Sequence, residues 1–246
     1  MFLAIRFKCL ALCALCLVCV AHAQQQQPPQ QPGAQKQQPG AQANTGAASK
    51  KANSRPASEA ATPAGEPFDK ATVERMSAQC VKLETTAGTI DLEMLAEVAP
   101  ESVRNFLNLA ATGAYDTTTF SRVVRGFIIQ GGDLATREKV TLEWMRRASR
   151  TVPDEPNAVK HLRGAVSMAR TDMPNSATTH FFILTGDAPH LDGTFSVFGR
   201  VRSGMEVVDD INKAEVEGQK PKEPVRIMRA TVAACPPAAP PEPKKP

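Results

Sequence analysis

The chain has 246 residues, of which 42% are hydrophobic and 22% are charged, and its formal net charge is +4. That length suits one domain of ordinary size with extensions. No run of lysines or arginines stands out, and the small net charge predicts that nucleic acid is not a partner.

Residues 1–23 have the three parts of a secretory signal. Arg6 and Lys8 supply a positive start, Cys9–Val20 form an apolar run of 12 residues, and Ala21–Ala23 form a cleavage site. An apolar run of this length is too short to span a bilayer. We therefore predict an exported protein, periplasmic or secreted, with no stable membrane insertion after cleavage. The alternative is a signal that stays uncleaved and acts as an anchor.

Two segments of biased composition flank the region that we expect to fold. Residues 24–65 are rich in Gln, Pro, Ala and Gly, so they cannot bury enough apolar surface to offset the entropy of ordering. Residues 236–246 form a proline-rich tail. We predict a disordered linker over 24–65, a possible short helix over 66–79, a folded domain over 80–235 and a disordered tail.

The first part of the folded region predicts a hairpin followed by a helix. Apolar and polar residues alternate over 81–85 and 89–94, which indicates two strands with one buried face. Pro100 suits the first turn of a helix, and Gly113 suits its end. The apolar residues at helical spacing between them are Val103, Phe106, Leu107 and Ala110.

The stretch over residues 120–133 predicts a second hairpin, because two apolar runs flank the turn signal Arg125-Gly126. A two-residue loop would pair Ser121 with Gln130 and would place Arg122 and Gln130 on opposite faces. A loop longer by one residue would pair Arg122 with Gln130 on one face. The local pattern leaves both registers open, and it also allows a surface Arg and Gln on a half-exposed hairpin.

Residues 141–148 predict a short amphipathic helix. Leu142, Met145 and Ala148 lie on one side of it, and Glu143 and Arg147 have the spacing of a helical ion pair. This helix either caps the domain, which we favour, or forms a lip beside a substrate groove.

The rest of the folded region predicts more strands than helices. Buried strands are predicted over 166–169, 181–184, 195–201 and 225–232, and a second principal helix over 204–211. The whole pattern is that of a mainly β protein.

Several motifs in a fixed order resemble those of the cyclophilin-type peptidyl-prolyl isomerases. The second hairpin resembles the family signature Phe-His-Arg that ends in Gln-Gly-Gly-Asp, and matching motifs follow at 164–170, 175–183, 191–193 and 197–199. The N-terminal signal predicts a secreted member, and His190 and Phe195 stand where bacterial-type members also depart from the common pattern. The resemblance implies a closed eight-stranded antiparallel barrel, capped by two principal α-helices.

The resemblance also implies the site. Arg122 matches the catalytic arginine, and Gln130 matches the residue that holds this arginine and contacts the substrate. The positions that match the substrate groove are Phe127, Ile128, Met168, Ala169, Arg170, His180, Phe182, His190 and Leu191. Within this groove the resemblance assigns Ala169 and Arg170 to the edge whose backbone pairs with an extended substrate. The implied substrates are proline-containing, extended or unfolded protein segments, with no cofactor and no metal, bound by a monomer.

The chain departs from the common family pattern at several positions. Residues 134–153 replace a Gly-rich loop. Ser121 stands for a His, His180 for a Gln, His190 for a Trp and Phe195 for a His. These changes leave sensitivity to cyclosporin open, whereas they affect the isomerase chemistry less.

Three other functions compete with isomerisation. A hydrolase could use Ser121, His180 and His190, but no nucleophile elbow is present in the sequence. A metal site could use His161, His180 and His190, but their spacing fits no standard motif. The strongest alternative is a module that binds client proteins without isomerising them.

The resemblance finally suggests a disulfide. Four of the six cysteines lie in the signal, so Cys80 and Cys235 remain after cleavage, in a compartment where disulfides persist. The first and last strands of the implied barrel are antiparallel neighbours, which would bring these two residues together. The alternative is two unpaired thiols.

Overall fold

The computed structural model describes residues 65–237. The predicted signal peptide, nearly all of the predicted linker and most of the predicted tail lie outside the described residues. The helices are α1 (Val73–Ser77), α2 (Pro100–Ala111), α3 (Leu142–Ala148) and α4 (Met205–Asn212). The strands are β1 (Gln79–Thr85), β2 (Gly88–Met94), β3 (Arg122–Val124), β4 (Ile128–Gly131), β5 (Ala165–Met168), β6 (Phe181–Leu184), β7 (Val197–Ser203), β8 (Val216–Glu217), β9 (Lys220–Pro221) and β10 (Ile227–Ala234).

Eight strands form one antiparallel sheet in the order β10-β1-β2-β7-β5-β6-β4-β3. The prediction of a closed barrel is wrong, because no ladder joins β3 to β10 in residues 65–237. β3 is only three residues long, and the segments that precede β3 and β10 meet at an isolated bridge between Thr119 and Arg226. The sheet is therefore a curled half-barrel, mainly β and with eight strands as predicted.

The predicted helix after Pro100 is α2, and the four apolar residues at helical spacing are at most 2% exposed. Phe106 of this helix contacts the rings of Tyr115, Phe181 and Phe198, with centroids 5.0 to 5.1 Å away. This aromatic cluster fixes the helix against the sheet. Across residues 65–237, no helix combines the length and apolar character needed to cross a membrane.

The helix predicted over 141–148 is present as α3, but its buried side differs from the predicted one. Leu142 and Met145 are 60% and 58% exposed, whereas Trp144 and Ala148 pack against the core. The guanidinium of Arg137 lies over the Trp144 ring, 4.7 Å from its centroid. Of the predicted apolar side, only Ala148 is covered by the domain, and Trp144 takes the place expected for Leu142 and Met145.

Arg147 explains this orientation of α3. Its guanidinium is buried, with Nε 2.6 Å from the Glu66 carboxylate and Nη2 2.8 Å from Asn105 Oδ1 of α2. The predicted pair with Glu143 is not the pair that forms. The helix thus packs beside α2 as a cap on the domain, and none of its residues lines the groove described below.

The remaining boundaries differ from the predictions by short distances. β7 and β10 each begin two residues later than predicted. Phe195 lies in a turn, where its N–H donates a hydrogen bond to Leu191 O, and is therefore not part of β7. Val225 precedes the ladder between β10 and β1. The two-residue strands β8 and β9 were not predicted.

Cys80 of β1 and Cys235, which follows β10, form a disulfide with their Cα atoms 4.8 Å apart. β1 and β10 are antiparallel neighbours along their whole length, as the resemblance implied.

Candidate functional site

The candidate site begins with the hairpin β3–β4. Its register pairs Arg122 with Gln130 and Val124 with Ile128, so the loop has three residues and the longer of the two predicted loops is the one observed. Gly126 occupies the left-handed region of φ at the middle of this loop, with φ +69°. The register places the arginine and the glutamine on the same face of the sheet.

The guanidinium of Arg122 is held from two sides. Its Nη1 donates to Gln130 Oε1 at 3.0 Å, and its Nε donates to Gln219 Oε1 at 2.6 Å. Neither bond uses Nη2. Gln219 lies in the turn between β8 and β9, and sequence reasoning missed it because 97 residues separate it from Arg122.

Beside this arginine lies an open cavity of about 400 Å³. Its walls are mostly apolar and aromatic, and they come from β3, β4, β6, the end of β5 and the segment around the helical turn Pro189–Leu191. The residues that line it are Arg122, Phe127, Ile128, Gln130, Ala169, Arg170, Phe182, His190, Leu191 and Phe195.

The cavity wall is built from aromatic contacts between separate elements. Phe182 is the cross-strand partner of Gln130 and lies edge-on to Phe195, with ring centroids 6.0 Å apart. Phe127 of the hairpin loop packs at 5.5 Å against the His190 ring. These contacts join the hairpin to the segment 189–195 and leave a slot between them.

Arg170 forms the edge of the cavity opposite the hairpin. Its guanidinium lies 5.0 Å from the centroid of Phe195, and its Nη2 donates to Thr194 O at 3.3 Å. The N–H of the neighbouring Ala169 donates to His180 O at 3.0 Å, within the protein itself. The N–H of Ala169 is therefore already engaged and does not face an incoming strand.

Two residues assigned to the groove by resemblance do not line this cavity. Met168 is 2% exposed and lies in the core opposite Phe181, because side chains alternate along β5 and Ala169 takes the outward place. His180 lies beside Asp133, with 4.0 Å between its Nε2 and Oδ1 of that residue. Burial lowers the pKa of His180 and the Asp133 carboxylate opposes this shift.

The residues of the hydrolase and metal alternatives are dispersed. His190 lines the cavity, His180 faces Asp133, and Ser121 borders a separate depression beside Lys220. Across residues 65–237, the histidines, cysteines and acids form no group of three that could hold a metal ion.

An arrangement of Ser, His and Asp does occur elsewhere. The ring of His161 lies 3.1 Å from Asp192 Oδ1 and 3.4 Å from Ser167 Oγ. Ser167 is fully buried and donates its hydroxyl proton to Ser196 O. The arrangement therefore cannot reach a substrate, and its role is structural: it fixes the segment that carries His190 to β5.

The geometry as a whole defines a class of protein. An antiparallel half-barrel carries a surface groove in which a fixed positive charge lies beside an apolar cavity. Such a groove suits an extended peptide whose backbone bonds to the rim.

Comparisons with known proteins identify the family. The family model described as cyclophilin type peptidyl-prolyl cis-trans isomerase matches residues 80–232. A peptidyl-prolyl cis-trans isomerase of Dictyostelium discoideum is 39% identical over 158 residues, which are 63% of this chain and 99% of that relative. Peptidyl-prolyl cis-trans isomerase A of Dickeya dadantii is 37% identical over 163 residues, which are 62% of this chain and 83% of that relative.

A solved structure agrees with these relatives. The crystal structure of a Cryptosporidium parvum cyclophilin type isomerase, in the presence of the dipeptide Ala-Pro, has a TM-score of 0.56 and 29% sequence identity. The match covers 63% of this chain and 99% of that one. The chain therefore belongs to the cyclophilin-type peptidyl-prolyl cis-trans isomerase family and is an isomerase.

Proposed function

We propose that Arg122 catalyses the rotation of Xaa–Pro bonds by stabilising the twisted amide. The single observation that carries this proposal is a guanidinium held by Gln130 at the rim of an apolar cavity. Rotation crosses a barrier of about 18–20 kcal/mol, which arises from amide resonance. No bond has to be made or broken, so a catalyst needs only to bind the twisted state better than the planar ones.

The positive charge of Arg122 suits the electronic change that the proline nitrogen undergoes in the twisted state. When conjugation is lost, the proline nitrogen becomes a pyramidal acceptor of hydrogen bonds. A guanidinium is always charged, and a fixed donor in a partly dry groove stabilises that nitrogen more than it stabilises the planar amide. The Nη2 group of Arg122, which neither glutamine engages, is the donor that we assign to this bond.

The cavity supplies the second requirement, a place for the proline ring. Phe127, Ile128, Phe182 and Leu191 line it with apolar surface and belong to one apolar cluster. The substrate strand would then run along the rim and pair with the backbone of Arg170. Because main-chain groups supply most of the recognition, many proline-containing sequences fit.

Isomerisation of a short proline peptide by wild-type and Arg122→Ala protein tests this proposal. The wild type should be active, and the variant should lose at least roughly tenfold in rate, equivalent to about 1.4 kcal/mol of transition-state stabilisation. Arg122→Lys should also be slow, because an ammonium lacks the planar fork.

Arg125→Ala provides the matched control. Arg125 belongs to the same hairpin, but it bonds to Lys213 O and does not line the cavity. This variant should retain the wild-type rate. If Arg122→Ala kept that rate as well, the assigned role of Arg122 would be wrong. A wild type that binds the peptide without isomerising it would instead indicate a client-binding module.

We also propose that the protein is exported and assists the folding of exported clients, as a monomer. Two observations support this location. The N-terminal 23 residues have the pattern of a cleaved signal. The bond between Cys80 and Cys235 is of a kind that persists in oxidising compartments and is rare in reducing ones.

Intact mass and cell fractionation test the location. The full chain, expressed in a bacterium with a periplasm, should yield a mature protein that begins at Gln24 outside the cytoplasm. Leu15→Arg with Leu17→Arg interrupts the apolar run and should leave the uncut chain inside, whereas Gln26→Arg should change nothing. An uncut chain from the unaltered gene would contradict the proposal.

A further inference from the structure

The side chain of Arg122 receives a second acceptor from a hairpin distant in sequence. Gln219 Oε1 lies 2.6 Å from Nε of Arg122, on the side away from the bond to Gln130. The main chain of Gln219 is also attached here, because its carbonyl accepts from Val123 N at 2.8 Å. One residue therefore bonds to two successive positions of β3.

The position of Gln219 is set by the hairpin β8–β9. Gly218 and Gln219 form the two-residue turn, and Gly218 adopts a φ of +65°, in the left-handed region that favours glycine. Below the turn, Lys222 N donates to Glu215 O at 2.9 Å. The turn thus presents residue 219 to the outer edge of β3, which is the end strand of the sheet.

Gln219 has no part in the apolar core. Its side chain is exposed and accepts a hydrogen bond from the side chain of Arg122. An exposed glutamine of this kind contributes little to packing, so packing does not explain why its side chain bonds to the guanidinium of Arg122.

We propose that Gln219 is a positioning residue that orients the guanidinium of Arg122 for isomerisation. This inference rests on the catalytic role proposed for Arg122. A guanidinium held by one bond can rotate about that bond, whereas acceptors at Nε and Nη1 fix both the tilt and the direction of its plane. The Nη2 group is then held in a fixed orientation at the cavity beside Arg122.

The neutral amide is also suited to this task chemically. An amide oxygen fixes the guanidinium without neutralising the positive charge that must face the proline nitrogen. The alignment matters in the twisted state more than in the planar one, so its loss should reduce kcat and leave KM nearly unchanged.

The test measures kcat and KM on a short proline peptide for Gln219→Ala and Gln219→Asn. The asparagine keeps an amide but is one methylene shorter, so it serves as a second variant should the alanine destabilise the turn. Both should lose roughly three- to tenfold in kcat, and KM should stay within about twofold. Lys220→Ala, at the neighbouring exposed position of the same hairpin, is the control and should match the wild type.

A double variant separates positioning from a general structural effect. In the Arg122→Ala background, Gln219→Ala should cause no further loss, because the group that it orients is gone. An equal further loss in that background would overturn the inference. The Nε–H signal of Arg122 in a nitrogen-15 spectrum offers a readout without turnover: it should be protected from exchange in the wild type and unprotected in Gln219→Ala.

The outcomes distinguish this inference from the proposed function. If Arg122→Ala is slow and Gln219→Ala is as fast as the wild type, the positioning role alone is wrong. If Arg122→Ala is itself as fast as the wild type, the catalytic role of Arg122 fails, and the positioning role fails with it.

Discussion

At the scale of single residues, two histidines have pKa values that burial lowers. His161 is 1% exposed, and its burial outweighs the opposing effect of Asp192. His180 is lowered in the same way against the opposing effect of Asp133. In the unfolded chain both groups would titrate near about pH 6.5.

This difference predicts a stability that depends on pH. Between the lowered pKa values of the folded protein and about pH 6.5, the unfolded chain binds more protons than the folded one. The contribution of the two neutral histidines to the free energy of unfolding is therefore fully present above about pH 6.5 and is lost as the pH falls. Urea unfolding from about pH 7.5 to about pH 5 should therefore show a decreasing free energy of unfolding. His161→Gln and His180→Gln should each reduce that slope, even if either lowers stability overall. An unchanged slope in both variants would exclude these histidines as its source.

At the scale of elements, the cap formed by α3 is held by a largely buried ion pair as well as by the packing of Trp144 and Ala148. Arg147 connects this helix to Glu66 and to Asn105 of α2. Its removal leaves the Glu66 carboxylate with Arg150 alone, a pair at 3.2 Å in which the arginine is 58% exposed. Loss of a buried, charge-assisted network should cost about 1–3 kcal/mol of stability.

Arg147→Ala and its exposed neighbour Arg146→Ala form a matched pair for this prediction. The first should lower the free energy of unfolding by that amount, and the second should change it by less than about 0.5 kcal/mol. Both should keep the isomerase rate, because α3 lies outside the cavity. Equal stability of the two variants would show that the pair with Glu66 contributes nothing.

The same helix shows where the sequence pattern is informative and where it is not. The position of α3 is predictable because Thr141 caps it and good helix formers follow, and α2 is predictable in the same way from its apolar spacing. The buried side of α3 is not predictable, because its partner Glu66 lies 81 residues earlier in the chain. The predicted apolar side of α3 has only three residues, and tertiary contacts rather than this pattern decided which side of the helix is buried.

The candidate site divides along a similar line. The pairing of Arg122 with Gln130 follows from a local register that the sequence reduces to two choices, and the structure has one of them. The contribution of Gln219 depends on how a short hairpin near the other end of the domain meets β3, and no local pattern reports that. Met168 was misplaced because a motif match does not say which face of a strand a residue occupies.

At the scale of the whole molecule, the end strand β10 is held differently on its two sides. The segments that precede β3 and β10 meet through one isolated bridge, between Thr119 and Arg226. The other side of β10 pairs with β1 along seven positions, and the Cys80–Cys235 bond lies at the end of that ladder. The first and last strands of the domain are thus held both by hydrogen bonds and by a covalent bond.

This bond should stabilise the fold chiefly by restricting the unfolded chain. It closes a loop over a sequence separation of 155 residues. The chain-entropy argument allows on the order of 4–5 kcal/mol for a loop of that length, and measured values are typically about 2–4 kcal/mol. Reduction should therefore lower the free energy of unfolding by about 2–4 kcal/mol in urea titrations. The isomerase rate should persist, because neither cysteine lines the cavity and the β1–β10 ladder remains.

Cys80→Ala with Cys235→Ala is the control for this prediction, because it removes the bond without a reductant. The double variant should match the reduced wild type in stability, because both keep the seven-position β1–β10 ladder without the covalent bond. Its stability should not respond to reductant, because the two cysteines that form the bond are absent. In the exported form that we propose, thiol counting on protein denatured without reductant should find no free thiol in the wild type. Two free thiols per mature chain would show that the bond does not form in the cell, and the stability of the domain would then have to come from the sheet and its core alone.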